Sequence, residues 1–392
     1  MTSDPRAAYI HVPFCRHRCG YCNFTLVARR DDLIDAYLDA LERELIAFGG
    51  PHEIDTLFFG GGTPTHLPPK QLERLFAIAQ CCFPLVSGEY VGWAVPTTPP
   101  PPAPEFTIEA NPTDLNDEKS KILAASGVTR LSLGAQSFHA SKLKILERDH
   151  DAATIRAAVE FARSFAQSIS LDLIFGVPGE TLADWQADLD QALALSPDHI
   201  STYGLTFEKG TNFWSRLNHG ELKQTDEDLE RQMYELAIDR LTAAGYEHYE
   251  VSNFARPSHR CRHNENYWLG GQYFAAGPGA SRFIAGRRET NHKSTTTYIH
   301  RVLSGQSPVA ESEHLNPEDS ARERLVFALR RLEGISPAHF AATTGFTIDD
   351  LIGPTLQPLL DRGLLSRTST NLRLTRPGLL LSDSIWPYFL RG

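Results

Sequence analysis

Six short apolar runs, each followed by a stretch of helical period, fill the chain up to Gly245 and restrict its fold more than anything else in it. The runs are Tyr9–Phe14, Ile54–Phe59, Phe106–Glu109, Val128–Gly134, Ser168–Phe175 and His199–Leu205. They are rich in Ile, Val, Leu, Phe or Tyr, and most are followed by Gly, Pro or Asn, as buried strands are. The helical stretches are Asp31–Phe48, Pro69–Cys81, Asp114–Ala125, Ala152–Ala166, Leu182–Ala194 and Glu227–Ala244. Asp31 and Asp32 are placed to cap the first, and Gly49-Gly50 to end it. Six consecutive β/α units predict an α/β fold: a parallel sheet with helices outside, either open or curled into a partial barrel.

Other segments depart from this rhythm. Pro96 to Pro104 holds six prolines in nine residues, which excludes a helix or a central strand and reads as a surface insertion over about 87–105. Cys261 to Phe283 is dense in Asn, Tyr, Trp, Gly and Arg and has little periodicity. From Pro317 the pattern is helical again (Glu323–Leu332, Pro337–Thr344, Ile348–Leu360), and two short strand-like runs follow, Leu364–Arg367 and Leu372–Thr375. Helices followed by a small hairpin resemble a winged-helix module. The expected division is a core over 1–285 and a smaller C-terminal domain over 286–392.

Charge and cysteine usage set the chemistry. Lys and Arg number 38 against 48 Asp and Glu, a net charge of −10, which argues against general affinity for nucleic acid. No apolar run reaches the roughly 18 residues of a membrane span. Met1 to Ala8 is short and polar with no apolar signal region, so the expected location is cytoplasmic, with membrane contact at most peripheral. Of six cysteines, Cys15, Cys19 and Cys22 lie within eight residues, and clustered thiols in a large, signal-free chain point to metal or redox chemistry.

The spacing is C-x3-C-x2-C, directly after the first strand. A structural zinc site needs four ligands, commonly in two pairs. Cys81 and Cys82 sit in a helical pattern and Cys261 is alone, so no second pair is available. Three thiolates on a [4Fe–4S] cluster leave one iron open to a ligand or substrate. A buried helical stripe at i, i+4, i+7 is the plainer alternative; Gly20 and the basic residues Arg16, His17 and Arg18 oppose it.

The run Tyr9-Ile-His-Val-Pro-Phe-Cys-Arg-His-Arg-Cys-Gly-Tyr-Cys22 resembles that of the radical S-adenosylmethionine (SAM) superfamily. The resemblance implies a partial (β/α)6 TIM-like barrel with its site at the C-terminal ends of the strands. It also implies a [4Fe–4S] cluster on Cys15, Cys19 and Cys22 whose open iron chelates SAM, and an external electron donor. Electron transfer to SAM then yields a 5′-deoxyadenosyl radical, chemistry that belongs to the cofactor. Three glycines let a backbone approach a ligand closely, and Phe59-Gly60-Gly61-Gly62-Thr63-Pro64 resembles the superfamily's SAM-contacting turn. By the same resemblance Tyr9, Tyr21, Gly61, Gly62, Thr63, Glu109, Gln136, Arg148, Asp172 and Gly204 are SAM-site residues.

Within the superfamily, nearly the whole chain is similar to the oxygen-independent coproporphyrinogen III oxidases and their relatives, the haem chaperones. The oxidases carry a fourth cysteine two residues after the third, where this chain has Phe24, and a longer N-terminal segment. His263-Asn264-Glu265-Asn266-Tyr267-Trp268 matches the H-N-x-x-Y-W motif of the chaperones. An imidazole suits haem iron, and Tyr and Trp offer flat apolar faces, so this resemblance implies haem at His263, Tyr267 and Trp268. His259, Cys261 and His292 compete as ligands, and the plain alternative is a segment that closes the barrel. The family often has Gly where Glu147 precedes Arg148. The chaperone resemblance implies haem delivery to acceptor proteins, membrane-bound respiratory enzymes among the candidates. The alternative is oxidative decarboxylation of coproporphyrinogen III, or another radical SAM reaction.

Overall fold

The computed structural model describes residues 4–85 and 103–390. Residues 86–102, and with them most of the proline-rich run, lie outside the described residues. Six parallel strands form the centre: β1 (Ala7–Val12), β2 (Thr56–Gly61), β3 (Glu105–Ala110), β4 (Arg130–Gln136), β5 (Ser168–Phe175) and β6 (His199–Gly204). They pair in chain order. Their connections are α1 (Ile34–Ala47), α2 (Pro69–Cys82), α3 (Asp117–Ala125), α4 (Ala152–Arg163) and α5 (Leu182–Ala194), and α6 (Glu227–Ala243) follows β6.

Alternation within the strands explains the layering. Ile10 and Val12 of β1, Leu57 and Phe59 of β2, and Phe106 and Ile108 of β3 are buried in the core against the helices. Phe59, Phe76 and Phe106 meet with ring centroids 5.3–5.4 Å apart. The residues between them, such as Tyr9, Phe58, Glu105 and Glu109, face the concave side, so both faces of the sheet are covered. Caps mark the helix starts: Asn116, Asp151 and Asp226 each accept a backbone N–H, and Thr181 with Asp184 forms a reciprocal capping box. Asp31 and Asp32 do not cap α1. They lie in a 3-10 turn before it, where Asp31 meets His66 and Asp32 meets Arg30.

The sheet is wider than the six expected strands. Phe274–Ala276 adds parallel to β1, while Asn253–Ala255 and Glu247–Glu250 add antiparallel beyond β6. These three runs are short and carry little alternation, so nothing in their sequence marks them. The segment 261–283, which lacks periodicity, opens with a two-turn helix, α7 (Arg262–Trp268). The Glu105 carboxylate, at the first residue of β3, accepts the N–H groups of Arg262 and His263 at 3.0 Å. Thr56, the first residue of β2, bonds the His263 ring. Helix α7 therefore closes the N-terminal end of the partial barrel.

Ser281–Ile284, Arg287–Asn291 and Val309–His314 form a separate antiparallel sheet. The expected boundary at 285/286 falls in the turn of its first hairpin, so a division there would separate two paired strands. Beyond the sheet, α8 (Pro317–Arg330) packs on α7, with the Arg330 guanidinium 4.5 Å from the Trp268 ring. Two further helices (Pro337–Thr344, Ile348–Asp361) and a small hairpin (Leu365–Arg367, Leu372–Leu374) complete a winged-helix-like domain.

Candidate functional site

The cysteine loop is built from its two ends. Phe14–Cys15 pairs with Val27–Ala28, closing the intervening residues into a loop. Inside it Cys22 N–H donates to the Cys19 carbonyl at 3.0 Å, and the Arg18 guanidinium donates to the carbonyl of Leu26 at 2.7 Å. Gly20 accepts from Phe213 N–H at 2.9 Å, and its bare Cα lies against the Phe213 ring. The segment exposes Arg16, Arg18, Asn23 and Phe24 and buries Cys15 (9 % exposed) and Cys19 (8 %). Burial pushes the Cys15 thiol up to about 12, against the opposing hydrogen bond from Thr63, and also raises Cys22.

One cavity of about 520 Å³ collects most of the expected residues. Cys15, Cys19, Cys22, Tyr21, Gly61, Gly62, Thr63, Glu109, Gln136, Arg148, Asp172 and Gly204 all line it. The volume lies within the range of small-molecule sites. Its position at the C-terminal ends of β1 to β6 matches where barrel and open α/β sheets place ligands. Tyr9 does not line it. Its hydroxyl lies 3.1 Å from His11 Nδ1, and His11 Nε2 lies 2.6 Å from the Thr25 carbonyl, so Tyr9 acts from beneath the cysteine loop.

The glycine turn admits no side chains. Gly61 has φ +111° and packs against the His11 ring. A Cβ on Gly62 would stand 2.7 Å from the Phe14 carbonyl oxygen and 2.9 Å from its nitrogen. Thr63 Oγ1 lies 3.3 Å from Cys15 Sγ, and Thr63 N–H donates to the Phe14 carbonyl at 2.8 Å. This turn therefore fixes the strand that presents the first thiol.

Opposite, Gln136 ends β4 with φ +62°, and Glu147 takes φ +56° immediately before Arg148. Left-handed backbone at such residues is costly and clusters at functional sites. Arg148 donates to Cys19 Sγ at 3.5 Å and to the Gly134 carbonyl at 3.0 Å, while its Nε is buried without a partner among the described residues. A guanidinium against a thiol, with one donor unsatisfied, suits a site that receives thiolates and an anionic ligand.

Glu109 and Asp172 are the cavity's carboxyl groups from the barrel interior. Burial pushes Glu109 up to about 7 despite the N–H of Gly61 at 3.0 Å, and nearby Asp172 adds to the rise. Asp172 is raised by burial too, and Ser132 donates to its two oxygens at 3.1 and 3.0 Å. Sequence reading passed over Ser132, Asn111 and Tyr203, which also line the cavity; their types carry no signal until the strands are aligned. Among the described residues no trio of His, Cys, Asp or Glu is arranged to hold a single metal ion. Three thiols serving three separate irons of a cluster need no such convergence.

The H-N-x-x-Y-W residues lie beneath the cavity, towards the N-terminal ends of the strands, where the His263 ring packs 5.1 Å from the Phe58 ring and 6.5 Å from the Tyr9 ring. His263 is 1 % exposed; its Nδ1 is 2.9 Å from Thr56 Oγ1 and its Nε2 2.8 Å from Tyr267 Oη. Burial depresses it to about 3, so the ring is neutral. Neither nitrogen is free. Tyr267 and Trp268 instead line an aromatic cleft of about 280 Å³ with Tyr273, Phe283 and Phe327, edged by Arg324. Trp268 Nε1 is buried without a partner. Cys261 is buried with its thiol 3.7 Å from Glu105 Oε1, and His259 lies 3.9 Å from Asp198.

Comparison with known proteins gives a consistent result. The profile described as Radical SAM superfamily matches residues 9–192, and the HemN C-terminal domain matches 315–381. The chain is 35 % identical to Heme chaperone HemW of Bacillus subtilis (strain 168), over 98 % of this chain and 99 % of that protein. It is 31 % identical to Heme chaperone HemW of Escherichia coli (strain K12), over 98 % of each. It is 32 % identical to radical S-adenosyl methionine domain-containing protein 1, mitochondrial, of Danio rerio, over 97 % and 86 %. The solved structure of coproporphyrinogen III oxidase (HemN) from Escherichia coli superposes with a TM-score of 0.83 at 23 % identity, covering 98 % of this chain and 90 % of that one. That likeness establishes a shared fold.

Proposed function

This chain belongs to the HemW family of the radical SAM superfamily, and we propose that it is a haem chaperone that takes up haem and hands it to acceptor proteins. Full-length similarity to proteins named as haem chaperones carries the reading. Phe24, at the position where a fourth cysteine would stand, supports it over the oxidase. Phe24 is 64 % exposed at the cavity mouth and offers no thiol.

Superfamily membership implies a [4Fe–4S] cluster and SAM, and the donor set of the cavity fits both. Cys15, Cys19 and Cys22 would hold the cluster. Gly61, Gly62, Thr63, Gln136, Arg148 and Gly204 would surround SAM, with Tyr21 beside the thiols and Tyr9 supporting from below. When bound, the pair supplies one-electron chemistry, fed by an external donor. The chain's own groups do the rest. Glu109 and Asp172 offer carboxylates to hydroxyl donors, and Arg148 balances thiolate charge.

Haem, as cargo, is assigned to the far end of the barrel. Its flat apolar face suits the cleft of Tyr267, Trp268, Tyr273, Phe283 and Phe327, and Arg324 suits a propionate. The cleft takes in only part of a porphyrin, which leaves an edge open for transfer. His263, buried behind Tyr267, would be available to haem iron only once Tyr267 Oη left its Nε2. The rings of Phe58 and Tyr9 stand between His263 and the cavity, so cluster and haem do not share a coordination site and SAM acts on haem handling indirectly. No helix among the described residues is long and apolar enough to cross a membrane, and we place the protein in the cytoplasm, meeting membrane-bound acceptors peripherally.

The test is anaerobic reconstitution followed by two assays on one sample, haem transfer to an apo-haem acceptor and conversion of coproporphyrinogen III. Transfer without conversion is expected. Robust decarboxylation with no haem retained would replace the chaperone by the oxidase.

A further inference from the structure

Between the cysteine cavity and α7, the barrel interior holds a chain of hydrogen bonds that the proposed function leaves unused. Cys261, which immediately precedes α7, donates its N–H to Tyr249 Oη at 3.2 Å. Tyr249 Oη lies 2.8 Å from His199 Nε2, and His199 Nδ1 lies 2.8 Å from Ser170 Oγ. Ser170 Oγ donates to Asp172 Oδ1 at 3.4 Å, and Asp172 lines the cavity. Ser170, His199, Tyr249 and Cys261 are all at most 3 % exposed, so water does not interrupt the series.

The direction of donation follows from the partners shown. The Cys261 N–H occupies one lone pair of Tyr249 Oη, and His199 Nε2 is the acceptor within reach of the Tyr249 proton. Burial and the neighbouring Arg130 charge keep His199 neutral, far below the usual imidazole range. A neutral ring accepting at Nε2 carries its proton on Nδ1 and donates it to Ser170 Oγ. The Ser170 proton is then directed at the Asp172 carboxylate. With the opposite tautomer, Ser170 would donate to Nδ1, and both the Tyr249 proton and the Asp172 oxygen would lose a partner shown here. Cooperative polarisation favours such a one-way series.

We propose that Ser170, His199 and Tyr249 are positioning residues for Asp172, coupling the occupancy of the SAM cavity to the backbone at which α7 begins. The inference rests on the reading that this cavity binds SAM. A ligand hydroxyl donated to Asp172 takes up part of the carboxylate's accepting capacity, so the Ser170–His199–Tyr249 series that donates to it loosens and the bond to Cys261 N–H weakens. That N–H lies two residues from His263, whose own N–H is held by Glu105. The aromatic cleft thereby responds to a cavity at the other end of the strands. A buried polar network with a purely structural role would stabilise the barrel equally with and without ligand.

The experiment is amide hydrogen exchange over 261–268 in the anaerobically reconstituted, haem-free protein, with and without SAM. SAM binding is followed on the same samples by equilibrium dialysis. In the native chain SAM speeds exchange at these amides at least about fivefold, the low end of ordinary coupling between sites. Tyr249→Phe keeps the ring and removes the hydroxyl; Ser170→Ala breaks the series at its other end and serves where the first variant folds poorly. In either variant the SAM-dependent speeding falls below roughly twofold while SAM still binds. Equal speeding in variant and native chain, slower exchange with SAM, or a variant effect of the same size without SAM, overturns the proposal. So does bound SAM that leaves the native amides unchanged. Native protein that fails to take up SAM in dialysis defeats the underlying reading of the cavity, and is distinguished by that measurement.

Discussion

Tyr267 Oη sits 2.8 Å from His263 Nε2, one turn along the same short helix, and occupies the nitrogen that haem iron would need. Thr56 holds the other nitrogen at 2.9 Å. Iron ligation by His263 therefore competes with a tyrosine hydrogen bond. Such a bond contributes about 1 kcal/mol net. Tyr267→Phe should accordingly tighten haem binding by about fivefold, and His263→Ala should weaken it and shift the Soret band. Spectral titration of the haem-free protein decides the point. Identical Soret bands for both variants and the native chain would move the ligand to another residue.

Gly62 makes a second prediction, since its neighbours are backbone atoms that cannot swing aside. Gly62→Ala would put a methyl group 2.7 Å from the Phe14 carbonyl oxygen and 2.9 Å from the Val12 carbonyl oxygen. The adjacent Phe14–Cys15 strand must shift, and the first thiol with it. Reconstituted Gly62→Ala should hold well under half the iron of the native protein, a displacement of about 1 kcal/mol or more. Gly353→Ala, where nothing lies within 4 Å, is the control and should bind iron normally. Equal iron contents would separate the glycine turn from the cysteine loop.

Much of this site can be read in the chain before folding, for a definite reason. Strand ends in a parallel α/β sheet converge, so a motif placed after each apolar run maps onto one cavity. Together with the radical SAM resemblance, that logic reaches Cys15, Gly61, Glu109, Gln136 and Gly204; Asp172, inside β5, is reached by the resemblance alone. It fails where a residue's role depends on a partner far along the chain. Tyr9 points to His11 and away from the cavity. His199, Ser170 and Tyr249 look like ordinary strand residues until β5, β6 and Glu247–Glu250 are aligned. The segment 261–268 has the composition of a loop. It is helical because Glu105, 157 residues from Arg262, accepts the first N–H groups.

The Glu147 backbone gives a third prediction. Its φ of +56° is glycine's territory, and a non-glycine residue there costs roughly 1–2 kcal/mol. The side chain recovers little, being 3.7 Å from Arg216 in a pair whose members are each 34 % exposed. Glu147→Gly should raise unfolding stability by about 0.5–1 kcal/mol net of the added chain entropy. Urea denaturation of the apo protein measures it. A loss of stability would mean that Glu147 contributes more through Arg216 than its exposure allows.

Glu109 supplies the last prediction, a pH dependence whose sign follows from its surroundings. Burial favours the neutral carboxyl and lifts it from 4.5 to about 7; the Gly61 N–H opposes the rise and the Asp172 charge assists it. Tyr9 also faces Glu109 and remains protonated, because burial raises it above the ordinary tyrosine range. In the free protein the neutral form is favoured below pH 7, so folding stability from this group is present at low pH and declines as pH rises from 4.5 through 7. Binding runs the other way, since a ligand hydroxyl donates more strongly to a carboxylate than to a carboxylic acid. SAM affinity should therefore rise by up to about tenfold between pH 6 and pH 8, as the ionised fraction climbs from about a tenth to about nine-tenths. Glu109→Gln should bind more weakly and show a flat profile over the same interval. Equilibrium dialysis at constant ionic strength provides the measurement, and an affinity that falls with rising pH would mean that Glu109 serves the ligand as a proton donor.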